Sequence, residues 1–213
     1  YGDSVFPDIS QLLIMAPAFI FALTFHEFAH AWSANKLNDP TAKNEGRLTL
    51  NPLVHLDPVG TIMLFVVGFG WARPVPVNPR NLQNPRQDMM WIALAGPCSN
   101  VLLAFALGWL YYNTAPTSEM MSIFRAMLEF GIYINLVLCF FNLLPIPPLD
   151  GSRIITGLLP QEQAYQFSKL EQFGPGLLIG LIVLDRFMNL GLLSSLILSP
   201  VFYCRRLILS LFS

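Results

Sequence analysis

Three long stretches of this chain carry no charged residue: Ile9–Phe25, Met89–Ser118 and Phe130–Leu149. The apolar core of a bilayer is ~30 Å thick and takes about 20 helical residues to cross, so runs of this length leave few architectures open. Hydrophobic residues make up 54% of the 213 and charged residues only 12%. The charged share is about half that usual in soluble domains, and mean hydropathy is +0.54. Such a chain cannot hide its apolar surface from water by folding alone, and it reads as an integral membrane protein. A net charge of −1, with no basic run longer than Arg205-Arg206, excludes a nucleic-acid partner.

The first helix is expected from Ile9 to about Lys36, where Asn38-Asp39-Pro40 stops it. It reads as a retained helix, because it is long for a signal sequence and no basic residue precedes it. The chain begins at Tyr1 rather than Met, so residues are expected upstream. Two further spans are expected at Trp91–Tyr112 and at roughly Ile123–Leu144. Residues 173–212 read as one span or two short ones, with Asp185-Arg186 favouring two. Thr41–Asp57 is polar and reads as a connecting loop. Pro58–Ala72 is too short for a comfortable span, and the alternation in Val75-Pro76-Val77 favours extended backbone. Thr61–Val77 is therefore expected to form a β-hairpin or re-entrant segment turning near Gly68-Phe69-Gly70, buried in protein or lining a wet cavity. The expected fold is a single domain over residues 1–213. It is all-α and polytopic, with about four to six transmembrane segments and a small membrane-embedded β-hairpin or sheet.

Charge sets an orientation. Lys36, Lys43, Arg47, Arg73, Arg80 and Arg86 all fall between the first two clear spans, and no Lys or Arg precedes the first. The positive-inside rule then puts the N-terminus outside and residues 36–90 in the cytoplasm, together with the loop bearing Arg153 and Lys169. Cys98, Cys139 and Cys204 are far apart in sequence, without CxxC spacing, and read as small core or lipid-facing residues.

Chemistry enters at the end of the first apolar run, as His26-Glu27-Phe28-Ala29-His30. On an α-helix, residues i and i+4 share a face, so both imidazoles can reach one metal ion while Glu27 flanks a water on it. At ~1.5 Å per residue, His26 lies roughly 25 Å along a helix entering near Ile9. The motif is then inside the membrane, nearer the cytoplasmic edge, where a buried carboxylate without a role is costly. A catalytic zinc usually takes three protein ligands. The candidates for the third are the remaining intramembrane acids and His55. Asp150 stands out at the end of the uncharged run Asn142–Leu149, after prolines that prevent a helix and before Gly151. Taken alone, Asp150 could equally cap a helix starting at Ser152.

The HExxH in a first transmembrane helix, with Leu149-Asp150-Gly151 far downstream, resembles the site-2 protease family of intramembrane zinc metalloproteases. The likeness extends to Asn51–Gly60, Pro76–Arg80 and Gly96-Pro97-Cys98-Ser99-Asn100, and it is nearest to the compact prokaryotic branch without PDZ or CBS domains. The resemblance implies one zinc ion held by His26, His30 and Asp150, with Glu27 as the base that activates water. It implies a place for Asn142 beside the site, in contact with the oxyanion or the substrate backbone. His55 can do the same or serve a structural loop. Gly96 and Asn100 read as residues that let helices pack closely. The substrate implied is a transmembrane protein, cut within or near its membrane helix in a prokaryotic cell membrane. The predicted 61–77 edge would pair with the unwound segment. Two other readings remain. A zinc-containing scaffold that holds membrane segments would have no need of Glu27, and a metal transporter would spread its ligands along several spans.

Overall fold

The computed structural model describes residues 9–67 and 70–212. The uncharged runs fold as foreseen. Helix α1 spans Ile9–Lys36, α4 spans Pro85–Tyr112 and α5 spans Glu119–Asn142. Between α1 and α4 lie the short α2 (Thr41–Asn44) and α3 (Pro58–Val67). Beyond α5 come α6 (Asp150–Leu158), α7 (Gln161–Ser168), α8 (Gly174–Phe187) and α9 (Leu192–Leu211). Residues 173–212 thus form two helices, separated near Gly191 in its left-handed conformation (φ 63°). Among the described residues, four segments are long and apolar enough to cross a membrane: Pro85–Tyr112, Glu119–Asn142, Gln161–Asp185 and Leu192–Leu211. The all-α polytopic class holds.

The predicted hairpin does not. Pro58–Val67 is a helix, and among the described residues 61–77 contribute only one isolated antiparallel bridge, Leu56 to Ala72, with Arg73 N–H donating to the His55 carbonyl at 2.8 Å. The expected turn at Gly68 and Phe69 lies outside the described residues. The reason is the start signal at Asp57-Pro58. The Asp57 Oδ1 accepts from the Gly60 N–H at 2.7 Å, and Pro58 needs no hydrogen bond in a first turn. That signal outranks the β tendency of Val66-Val67, and a short apolar run cannot separate the two by period. Substrate pairing along a 66–77 edge loses its structural basis with the hairpin.

The bundle is built around α4, which packs against α1, α5 and α6, while α1 also packs against α5. Helix α9 closes the far side on α5 and α4, around a core of Ala104, Ile132, Leu136, Val201 and Ile208. Its approach requires Gly108, because a Cβ there would meet Ile208 Cγ2 at 2.4 Å. Some polar side chains inside the spans bond back onto their own helix, as Thr24 does to Ile20 (2.7 Å) and Asn142 to Leu138 (3.0 Å).

Candidate metal centre

His26 and His30 sit one turn apart on α1 with ring centroids 4.6 Å apart and planes nearly perpendicular. Both are buried, as is Glu27, which is 8% exposed. Their partner arrives from the other end of the chain. After α5 the backbone turns through Leu143–Leu149, with a cis bond between Pro147 and Pro148, and α6 begins at Asp150 itself. Asp150 is therefore not the cap of a helix starting at Ser152. It is the first helical residue, and its side chain caps nothing. Instead Asp150 Oδ2 lies 3.2 Å from His26 Nε2 and 3.3 Å from His30 Nε2, and the two Nε2 atoms are 3.0 Å apart. Gly151 makes this turn possible, because a Cβ there would come within 2.3 Å of the Leu143 and Leu144 carbonyl oxygens.

The protonation of the cluster follows from what surrounds it. The Ile92 carbonyl can only accept, so His30 Nδ1–H donates to it at 2.7 Å, and in the neutral ring Nε2 then carries the lone pair. His26 Nδ1–H donates to Asn100 Oδ1 at 2.6 Å, with the same result. Asp150 Oδ2 is buried and accepts no hydrogen bond. With both rings neutral, three electron pairs face one another, an arrangement that a cation would satisfy. Ligand atoms on a tetrahedral zinc, with bonds of ~2.0–2.1 Å, stand roughly 3.3–3.4 Å apart. The observed triangle matches that spacing within a few tenths of an ångström. Among the described residues no other three His, Cys, Asp or Glu side chains bring their ligand atoms within 4.8 Å of one another. The residues present fit a tetrahedral metal ion.

Of the other residues singled out from sequence, Gly96 lies against the cluster itself. A Cβ there would meet His30 Nε2 at 2.5 Å and His26 Nε2 at 2.6 Å, so α4 can approach the imidazoles only with glycine at this position. Asn142 ends α5 with its amide turned to Leu138 rather than to the triad. His55 is fully buried in the loop before α3, with Nε2 2.8 Å from the Thr49 carbonyl. The structure brings neither His55 nor Asn142 into contact with the three ligand atoms.

Three features were not singled out from sequence as belonging near the site. The Ile92 carbonyl has no sequence signature at all. Asn135 did have one, since an amide inside an uncharged span must find a partner. Arg47 is 4% exposed, gives Nη2 to the Arg73 carbonyl at 2.6 Å and leaves Nε without a partner. Burial lowers its pKa and Arg73 adds to that, while the nearby carboxylates of Glu27 and Glu45 work in the opposite direction.

The helices and the cluster together define a polytopic membrane protein with a His-His-Asp set of ligand type. The chain belongs to peptidase family M50, the site-2 protease family. The model of that family matches residues 113–181. A Bacillus subtilis protein named "Putative zinc metalloprotease YwhC" is 47% identical over 172 residues, covering 78% of each chain. Proteins named in the same way are MJ0611 of Methanocaldococcus jannaschii, 34% identical over 71% of this chain and 72% of its own, and Rip2 of Mycobacterium tuberculosis, 30% identical over 86% and 71%. No solved structure matches the chain.

Proposed function

We propose that this chain is an intramembrane endopeptidase, a single domain that cuts other proteins within or near their transmembrane helices, with His26, His30 and Asp150 as zinc ligands and Glu27 as general base. Membership of a family with zinc metalloproteases supports the coarser reading of a membrane metalloprotease. The finer reading rests on one observation, the triangle of buried ligand-type atoms from His26, His30 and Asp150 in an apolar helix bundle, with an additional buried carboxylate beside it.

Zinc, when bound, supplies a Lewis acid that acidifies water and polarises an amide carbonyl. The rest is done by the chain. His26 and His30 present neutral Nε2 lone pairs, and Asp150 adds one negative charge. Glu27, unlike Asp150, is not held against the imidazoles and stays free to take a proton from the attacking water and return it to the departing amine. Asp150 and Glu27 together offset the charge of a divalent ion, which lowers the cost of burying it. Asp150 is the least buried of the three proposed ligands, with 17% of its side chain exposed, which favours access for water and substrate from its side. A substrate helix must unwind locally before its peptide bond can enter, because its carbonyls are otherwise engaged.

Cleavage of a single-span membrane substrate by purified protein tests this, with wild type and Glu27→Gln compared for turnover and bound zinc. The expected result is about one zinc in each and turnover at least 10²-fold lower in the variant. Equal zinc with equal turnover would remove Glu27 from the mechanism, and a zinc-containing scaffold predicts indifference to the change.

A further inference from the structure

Two asparagines lie in the middle of the apolar bundle, both completely buried. They are Asn100 on α4 and Asn135 on α5. A pair of this kind can serve simply to hold two membrane helices together. The direction of the hydrogen bonds says more. The Gly131 carbonyl can only accept, so Asn135 Nδ2 donates to it at 2.8 Å, and Asn135 Oδ1 is left facing α4. That oxygen requires a donor, which fixes the Nδ2 of Asn100 against it at 2.8 Å. The Ala22 carbonyl of α1 accepts from the same Nδ2 at 3.2 Å. Two acceptors on separate helices therefore assign the nitrogen of Asn100, and only Oδ1 remains for His26 Nδ1–H at 2.6 Å.

We propose that Asn100 and Asn135 are positioning residues for the metal centre, a one-way chain of amides that starts at the Gly131 carbonyl and holds His26 in the tautomer whose Nε2 is free to bind the ion. A free imidazole favours the other tautomer, with the proton on Nε2, where it would block a metal. Reversing the Asn100 amide would set its oxygen against the Ala22 carbonyl and Asn135 Oδ1 at once, a repulsion that a low-dielectric interior does not screen. The chain also explains why α5, which carries none of the three ligand atoms, packs against both α1 and α4 at this depth. His30 needs no such device, because a backbone carbonyl fixes it. The inference rests on His26 being a ligand.

The test is zinc affinity by chelator competition on the full-length, detergent-solubilised chain, with the absorption spectrum of the cobalt-substituted protein beside it. The wild type is compared with Asn100→Leu, Asn100→Asp and Asn135→Leu. Asn100→Leu is expected to weaken zinc binding about 10–100-fold. Asn100→Asp keeps the acceptor for His26 Nδ1–H but sets a second oxygen against the Ala22 carbonyl and Asn135 Oδ1. Its zinc affinity is therefore expected to fall between those of wild type and Asn100→Leu, with an unchanged cobalt spectrum. Asn135→Leu leaves the Ala22 carbonyl to hold the amide, and its loss is expected to be several-fold. If the leucine variants melt earlier but bind zinc as tightly as the wild type, the asparagines only join helices and the proposal fails. It fails equally if Asn100→Asp is as weak as Asn100→Leu. Should Asn100→Leu not fold, Asn135→Leu decides by the same criterion. A wild type that binds no zinc would overturn the metal reading itself, and this inference with it.

Discussion

At the scale of single residues, the proposed centre depends as much on what is missing from α4 as on the proposed ligands of α1 and α6. Gly96 leaves the volume that the two imidazoles fill. The 2.5 Å and 2.6 Å approaches calculated for a Cβ there are shorter than any carbon–nitrogen contact can be. In Gly96→Ala, therefore, either the rings rotate away from each other or α4 retreats from α1. Overpacking of this kind costs about 1–3 kcal/mol, which a bundle this large survives. The ligand triangle has less tolerance, since its edges already match a single ion. The expected phenotype is a folded protein with a modestly lower melting temperature in detergent and less than a tenth of the wild-type zinc. A variant that keeps its full zinc would show that the rings have room the geometry does not reveal.

At the scale of elements, the polar turn after α1 is set by one carboxylate. Asp39 is fully buried and accepts hydrogen bonds from the Thr41 N–H and hydroxyl, the Asn78 N–H (2.7 Å) and Asn81 Nδ2 (2.7 Å), tying the end of α1 to the turn before α4. Burial alone would raise its pKa, but the bonds from Thr41, Asn81 and Asn78 outweigh it and hold the carboxyl below its ordinary value. The folded pKa lies below the unfolded one, so the stabilisation is complete above about pH 4 and disappears as the pH falls through the folded value. Asp39→Asn should remove about 1–3 kcal/mol near neutrality. The gap between wild type and variant should narrow on acidification, as read by thermal unfolding from neutral to acid pH. A gap that stays constant with pH would mean that the charge of Asp39 contributes nothing.

The same turn shows how much of the fold the sequence made legible. Asn38-Asp39-Pro40 announced the end of α1, and the uncharged runs announced α1, α4 and α5, because lipid imposes length and apolarity on any element that crosses it. The approach of His26 to His30 was legible because a helix has a fixed period. Asp150 was legible as a candidate, but it could be told from a helix cap only once α6 was seen to begin at Asp150. The hairpin was misread because Pro58–Val67 is too short for periodicity to decide. The partners that orient the histidines were hidden for another reason. The Ile92 carbonyl belongs to the backbone, and the Asn100–Asn135 pairing exists only through helix packing.

At the scale of the whole molecule, the metal centre constrains topology. His26 and His30 lie in the last turns of α1, and Asp150 lies just beyond α5, so these two helices leave the bundle at the same end. Helix α4 runs between them in sequence, starting from that end and finishing at Tyr112. Lys36, Lys43, Arg47, Arg73, Arg80, Arg86 and Arg153 gather at the shared end. Toward the opposite end Arg125 is engaged with the carbonyls of Tyr111 and Thr114 and lies over the Tyr111 ring, 3.9 Å from its centre, and Arg205 is paired with Glu129. The positive-inside rule then predicts that the shared end, and with it the proposed centre, lies on the cytoplasmic side. Glu45 and Thr117 are exposed in the loops at the two ends and serve as reporters. In a background with Cys98, Cys139 and Cys204 replaced, Thr117→Cys should react with a membrane-impermeant maleimide on intact cells. Glu45→Cys should react only after permeabilisation. The reverse pattern would invert the molecule and place the centre near the outer face. Labelling of both from one side would mean that α4 does not cross the membrane, which the contact between Asp150 and the two histidines cannot accommodate if α1 and α5 both span it.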